Sequence, residues 1–342
     1  MASKKWKILI HSMTFNRDFG MCYILARILE RMGCECLIVN NTNVLSLPVR
    51  LWNPDAVFFV TPTKISKLIK TYADARHFIF SAEGSVGYKV SEAKLAGDPG
   101  TMGRMSRVYL WGGEARRYLS DIYMQTKGAD KEKFESTFKV AGNLRGDIIK
   151  FSATRKKSEK IRIGLVGSFW LINSIIPGFS LFRHLFETRT NPRILEECST
   201  QVKYLKVLFE IISRLDKDKY EISFRPYPLE EKGSYRNQAF FKENNIKLDS
   251  SIDISTWISE QDIVIGNGIT TTIALFAIAR KPFINLTLLC GSSLKIYENL
   301  LPAPLLAATA KNSPADFDTL FDMISNYEKH SFYDEDTLVF LH

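Results

Sequence analysis

The sequence predicts an α/β protein of two Rossmann-like domains, residues 1–153 and 154–342. Three observations carry this reading. Short β-branched runs alternate with amphipathic helical segments along most of the chain. The alternation pauses at Lys150–Lys160, a polar, basic stretch that reads as a linker. The length, 342 residues, suits two cores of ordinary size.

The first half opens with a strand at Lys7–His11 and a polar, turn-like Ser12–Gly20. Met21–Met32 has helical periodicity, with Ile24, Leu25, Ile28, Leu29 and Met32 on one face. Gly33 follows as a helix C-cap and Cys36–Val39 as a second strand. A β–α–β opening implies a parallel sheet. The alternation continues through Ala56–Val60 (strand), Ile65–Ala75 (helix) and Phe78–Phe80 (strand), which ends at Ser81-Ala82-Glu83-Gly84. Arg107–Trp111 is a strand, Glu114–Tyr123 a helix, and Thr137–Ala141 a strand ending in Gly142-Asn143.

The second half restarts with a strand at Ile161–Val166. An insertion, Gly167–Thr200, precedes an amphipathic helix at Gln201–Leu215. Glu221–Arg225 is a strand running into Pro226-Tyr227-Pro228. Ile254–Ile258 begins a short helix, and Ile263–Ile265 is a strand ending in Gly266-Asn267-Gly268. Thr270–Ala279 is a helix and Pro282–Leu286 a strand. The final helix of the tail is expected to pack back on the N-terminal domain.

Composition excludes several classes. The chain is 45% hydrophobic and 24% charged, so it is neither disordered nor collagen-like. Its five cysteines form no C-x-x-C pair and no Cys/His cluster, so neither a disulfide scaffold nor a structural metal site is expected. The apolar run Ile8–Ile10 is too short for a signal peptide. The longest uncharged stretch, Ile263–Ala279, is broken by glycines and threonines, whereas a membrane span needs about 20 mostly apolar residues. A cytoplasmic protein is expected. The net charge is +9. No zinc-finger or RNP signature accompanies it, so nucleic acid is not the expected partner. An anionic substrate or the anionic inner leaflet of a membrane accounts for the charge instead.

Ligands of open α/β sheets bind outside the carboxyl ends of the strands. The residues just after each strand are therefore the candidates. After the first strand come His11, Asn16, Arg17 and Asp18, where an arginine can hold a carboxylate or phosphate bidentately. Glu83-Gly84 places a carboxylate at a strand tip, suited to an acid, base or nucleophile. Asn143, Arg145 and Asp147 stand at the domain junction, where turn and cap roles compete with substrate contacts. Arg225 can reach a phosphate from a loop stiffened by Pro226 and Pro228. Gly266-Asn267-Gly268-Ile269-Thr270-Thr271-Thr272 combines glycines with hydroxyls before a helix, a pattern suited to phosphate. It is neither a Walker motif nor G-x-G-x-x-G, so a mononucleotide fits better than a dinucleotide. A plain N-cap is the alternative reading of the same residues.

In order along the chain, these residues resemble the bacterial surface carbohydrate biosynthesis proteins, a family related to retaining Kdo glycosyltransferases. The resemblance spans about residues 7–290. It rests on Arg17-Asp18, Glu83-Gly84, Trp111-Gly112-Gly113-Glu114, Gly142-Asn143-Leu144-Arg145-Gly146-Asp147, Arg225-Pro226-Tyr227-Pro228-Leu229-Glu230 and Asn267-Gly268-Ile269-Thr270-Thr271. Tyr227 stands where the family has histidine. Glu83 lacks the family's preceding carboxylates. Ala274 and Leu275 occupy the region where an acid usually follows. The resemblance implies a GT-B fold, two Rossmann-like domains facing each other across a cleft. It implies a retaining, metal-independent transferase that uses a nucleotide sugar such as CMP-Kdo and needs no further cofactor. The expected acceptor is a glycan or lipid-linked glycan of capsule, O-antigen or lipopolysaccharide, with peripheral association at the inner membrane. On this reading Glu83 is catalytic. Arg17, Asp18, Asn143, Arg145 and Asp147 bind substrate. Arg225, Tyr227, Glu230, Asn267, Gly268, Thr270, Thr271 and Thr272 hold the donor nucleotide. A sugar-nucleotide epimerase, a polyol-phosphate transferase or a non-catalytic binding protein would use the same scaffold.

Overall fold

The computed structural model describes residues 5–12, 15–61, 64–81, 91–142, 144–151, 158–174, 192–228, 230–236, 238–251, 254–267, 272–298 and 300–341. The chain divides into two units, Met1–Phe151 and Ser152–Ser251 together with Ser255–Leu341.

The first unit holds six strands: β1 (Lys7–Ser12), β2 (Glu35–Asn40), β3 (Ala56–Phe59), β4 (His77–Ser81), β5 (Arg107–Leu110) and β6 (Phe138–Val140). They form one sheet in the order β2-β1-β3-β4-β5-β6, with every pairing parallel. Its helices are α1 (Phe15–Arg31), α2 (Leu47–Leu51), α3 (Ile65–Thr71), α4 (Ser91–Ala96), α5 (Pro99–Arg104), α6 (Gly113–Met124), α7 (Lys131–Thr137) and α8 (Leu144–Phe151).

Parallel sheets need cover on both faces, and β1 shows how the sequence meets that need. Leu9 faces the main core with Val57, Phe59, Phe78 and Phe80, while Ile10 faces α1 with Met21, Cys22 and Ala26. Gly33 ends α1 at φ +89, the left-handed geometry of a helix C-cap. Two expectations change here. The segment expected as a turn, Ser12–Gly20, is helical from Phe15 onward. The apolar stripe read as one helix face is split. Leu25 and Leu29 pack on the sheet, whereas Ile24, Ile28 and Met32 are exposed. The stripe is wider than one sheet face can cover.

The second unit holds β7 (Ile161–Val166), β8 (Tyr220–Arg225), β9 (Lys247–Leu248), β10 (Ile263–Gly266) and β11 (Phe283–Asn285). The order is β11-β10-β7-β8-β9, again all parallel. Its helices are α9 (Pro192–Arg214), α10 (Lys232–Arg236), α11 (Ala239–Glu243), α12 (Ile254–Glu260), α13 (Thr272–Ile278), α14 (Ala303–Lys311), α15 (Phe317–Ser325) and α16 (Glu335–Leu341). Within α9, Tyr204, Leu208, Ile211 and Ile212 share a core with Ile163, Leu165, Ile222, Phe224, Ile263 and Ile265. The last helix, expected to return to the N-terminal domain, lies against α13 and α14 of its own unit.

On the opposite face of β7, the Trp257 ring lies over Gly164. A Cβ at Gly164 would stand 2.8 Å from both Trp257 and Gln261 Cγ. Trp257 and Gln261 are held by Ser223: the indole N–H donates to Ser223 Oγ at 2.9 Å, and Ser223 Oγ donates to Gln261 Oε1 at 3.0 Å. Gly164→Ala is therefore expected to destabilise the second unit by about 1–3 kcal/mol, the cost of overpacking. A urea melt followed by tryptophan fluorescence measures this; an unchanged midpoint would show that the helix simply slides away.

Candidate functional site

Each sheet has a point where the chain reverses its direction of travel across the strands, and ligands of such folds bind outside the carboxyl ends there. In the first unit this point lies between β1 and β3, and in the second between β7 and β10.

At the first point stand His11, Ser12 and Thr61, all fully or almost fully buried. His11 Nε2 meets Asn41 Oδ1 at 3.3 Å, and its Nδ1 has no partner among the described residues. Burial drives the His11 pKa down to about 4, against a partly opposing hydrogen bond to Asn41. The imidazole is therefore neutral near neutral pH, because burial disfavours its protonated form. Lys64 closes the group, donating from Nζ to Asn41 O at 2.9 Å.

Behind this crevice, Arg145 Nη2 meets Asp18 Oδ1 at 3.3 Å, with the two side chains 4% and 0% exposed. The ion pair ties the first turn of α1 to α8 across 127 positions of sequence. Both residues were expected to bind substrate. The structure turns them inward on each other, while Asp147, two residues beyond Arg145 and so on the other side of α8, is exposed. Arg17 lies in the first turn of α1. Glu83 and Asn143 fall outside the described residues.

At the second point, the loop after β7 passes directly under the loop after β8. A Cβ at Gly167 would come within 2.7 Å of Glu230 Oε2, 2.9 Å of Pro226 Cα and 3.0 Å of Tyr227 N. Only a glycine allows this approach. Glu230 was expected to contact the donor nucleotide. Instead its carboxylate is 1% exposed, accepting the Phe169 N–H and the Tyr235 hydroxyl, the latter at 2.7 Å. Burial pushes its pKa up to about 7 although these donors pull the other way. Tyr227 is half-buried, and its carbonyl accepts Glu230 N at 2.9 Å. Arg225 pairs with Asp249 and donates to Ser251 Oγ at 2.8 Å. Next to that pair, a cavity of ≈ 520 Å³ is lined by Ser223, Lys247, Asp249, Ser251, Trp257 and Gln261, among others. Its size is within the range of small-molecule sites.

At the carboxyl ends of β10 and β11 lies a buried polar network. The Thr287 hydroxyl lies 3.1 Å from Asn267 Oδ1, 2.9 Å from Asn285 Oδ1 and 2.5 Å from the Tyr297 hydroxyl. Asn267 was expected here. Asn285, Thr287 and Tyr297 were not, although Asn285 and Thr287 close a strand just as Asn267 does. Gly268, Thr270 and Thr271 lie outside the described residues, and Thr272 is the first residue of α13. Among the described residues, no group of three or more His, Cys, Asp or Glu could hold a metal ion. Nor is any helix of the described residues long and apolar enough to cross a membrane.

Two parallel-sheet α/β units, each with polar groups at its strand reversal, define the GT-B class of fold. The comparison with solved structures agrees. The chain is similar to the wall teichoic acid polymerase TagF, solved as H444N with CDPG, at TM-score 0.50 and 9% identity over 83% of this chain and 70% of that one. Fainter likenesses join it to the UDP-N-acetylglucosamine 2-epimerase of Rickettsia bellii (TM-score 0.45, 14% identity, 83% and 79% covered) and to Anabaena HepE with UDP-glucose (0.40, 11%, 82% and 80%). Identities this low speak to the fold alone. No family profile and no curated protein matches the sequence.

Proposed function

We propose that this chain is a glycosyltransferase of surface polysaccharide assembly that uses a nucleotide-activated sugar. The observation that carries the reading is the Asn267–Thr287–Asn285–Tyr297 network at the carboxyl ends of β10 and β11. Apolar strand ends would be cheaper to bury than four polar side chains, and the position is where α/β sheets receive ligands. On this reading the network orients Asn267 toward the donor, and the hydroxyls of Thr270, Thr271 and Thr272 contact its phosphate. Arg225 exchanges part of its pairing with Asp249 for the donor phosphate. The resemblance to retaining Kdo transferases favours a CMP-activated acidic sugar transferred with retention, with Glu83 as the catalytic carboxylate. Arg17 is the proposed partner for the sugar carboxylate, since Arg145 is engaged with Asp18.

Transfer of a polyol phosphate from a CDP-activated donor is the second reading, favoured by the likeness to TagF in a crystal soaked with CDPG. Either transfer releases CMP, from a CMP-sugar by cleavage of the bond between sugar and phosphate and from a CDP-polyol by cleavage of the pyrophosphate bond. Isothermal titration with CMP, CDP and UDP therefore tests both, with CMP the expected ligand. The product separates them: a sugar joined directly to the acceptor for the first, a polyol phosphate for the second. No binding of any nucleotide would sink both. Glu83→Gln is expected to lower turnover at least about 100-fold, the scale of a lost general acid or base. Near-normal turnover would remove Glu83 from the mechanism.

A further inference from the structure

The strands of the first sheet are parallel, so their amino ends share one edge, away from the crevice of the first unit. That edge is tied into a continuous surface. Glu35 N donates to Trp6 O at 2.7 Å, and the Trp52 indole N–H donates to Glu35 Oε1 at 3.1 Å. Asp55 N donates to Lys7 O at 2.8 Å, and Arg76 N to Asp55 O at 2.9 Å. The ring of Trp6 lies 5.5 Å from that of His77.

Three large apolar side chains protrude here. Met32, just after α1, and Leu51, ending α2, are each 74% exposed, and Trp6 is 41% exposed. Single exposed hydrophobics are ordinary. What sets these apart is that, among the described residues, they share an edge with Lys5, Lys7, Arg31, Arg76, Arg104 and Arg107, with Glu30, Glu35, Asp55 and Asp74 as acidic neighbours. Arg76 Cζ lies 5.8 Å from the Trp6 ring and Lys7 Nζ 5.6 Å from the Trp52 ring, so the cations stand beside the indoles. Ile28, one turn before Met32, is 48% exposed and continues the apolar surface along α1.

We propose that this amino-terminal edge docks on an anionic lipid bilayer. Indoles favour the headgroup region, where one end of the ring is wet and the other is not. Basic side chains around them are drawn to anionic headgroups. The apolar tips enter the acyl boundary, as the apolar face of an interfacial helix does. A nucleic-acid backbone would use the same cations but leave Met32 and Leu51 in water. Docking by the amino ends leaves the strands' carboxyl ends free for substrate. The proposal stands on this surface and not on the sugar-transfer reading.

Sedimentation with vesicles tests it. The protein is expected to bind vesicles of phosphatidylcholine mixed with phosphatidylglycerol, not phosphatidylcholine alone, and to release as salt rises. Met32→Ser with Leu51→Ser should weaken binding at least about tenfold, given the transfer energy of two such side chains. Both residues are exposed, so the variant should keep the wild-type circular dichroism and nucleotide titration. Absence of binding to the anionic vesicles would overturn the proposal, as would equal binding by the variant. So would a wild-type dimer that the double variant dissociates, since a second copy would then cover the edge.

Discussion

Arg145→Leu is expected to cost the first unit about 3–5 kcal/mol, because it takes the Arg145 guanidinium away from the fully buried Asp18 carboxylate. The two residues hold the start of α1 against α8, so the loss should spread to the neighbouring crevice. Asp18→Leu with Arg145→Leu is the informative companion. Replacing both charges by apolar groups removes the desolvation penalty along with the attraction, and much of the stability should return. Urea melts of the three proteins measure the difference. A loss under about 1 kcal/mol for the single variant, the scale of an exposed pair, would mean that water reaches Asp18.

Glu230 is expected to make stability fall as pH rises. Burial raises its native pKa from 4.5 to about 7. Between these values the native state keeps a proton that the unfolded chain has released. The contribution is thus fully present below about pH 4.5 and is lost as pH passes about 7. Its size is on the order of 3 kcal/mol at one pKa unit per 1.36 kcal/mol. Glu230→Gln should flatten this slope. Its carbonyl can still accept the Phe169 N–H, and its amide can donate to the Tyr235 oxygen. Glu230→Ala should instead cost about 1–3 kcal/mol for each donor left unmatched. Melting midpoints across this pH window decide the point; the same slope in Glu230→Gln would show that another group titrates.

Much of the fold was legible because parallel strands buried on both faces read as short apolar runs. Ile161–Val166 is a strand with the predicted bounds, and the alternation of Ile222 and Phe224 with Glu221, Ser223 and Arg225 marks β8 as apolar on one face only. Helices were less legible at their starts. The helix read from Gln201 begins at Pro192, a residue well suited to a first helical position. Leu144–Phe151 was hidden by Asn143, Gly146 and Asp147, which look like a turn in sequence.

The site divides in the same way. The strand-end rule picked out Asn267 and His11 as strand-end residues, and the structure places both at the ends of strands, since a residue's place after a strand is local information. It could not say which way a side chain turns. Arg145 reads as a substrate clamp until the fold brings Asp18 to it, and Glu230 reads as a ligand contact until Gly167 and Phe169 close over it. By itself the sequence determined the class of fold, the order of the strands along the chain and the strand-end candidates, because periodicity and turn chemistry act over a few residues. Only the tertiary structure decided which charges are already paired, which polar groups are buried together, and which apolar residues of α1 face water. Pairing and burial depend on partners far away in sequence, and no local pattern records them.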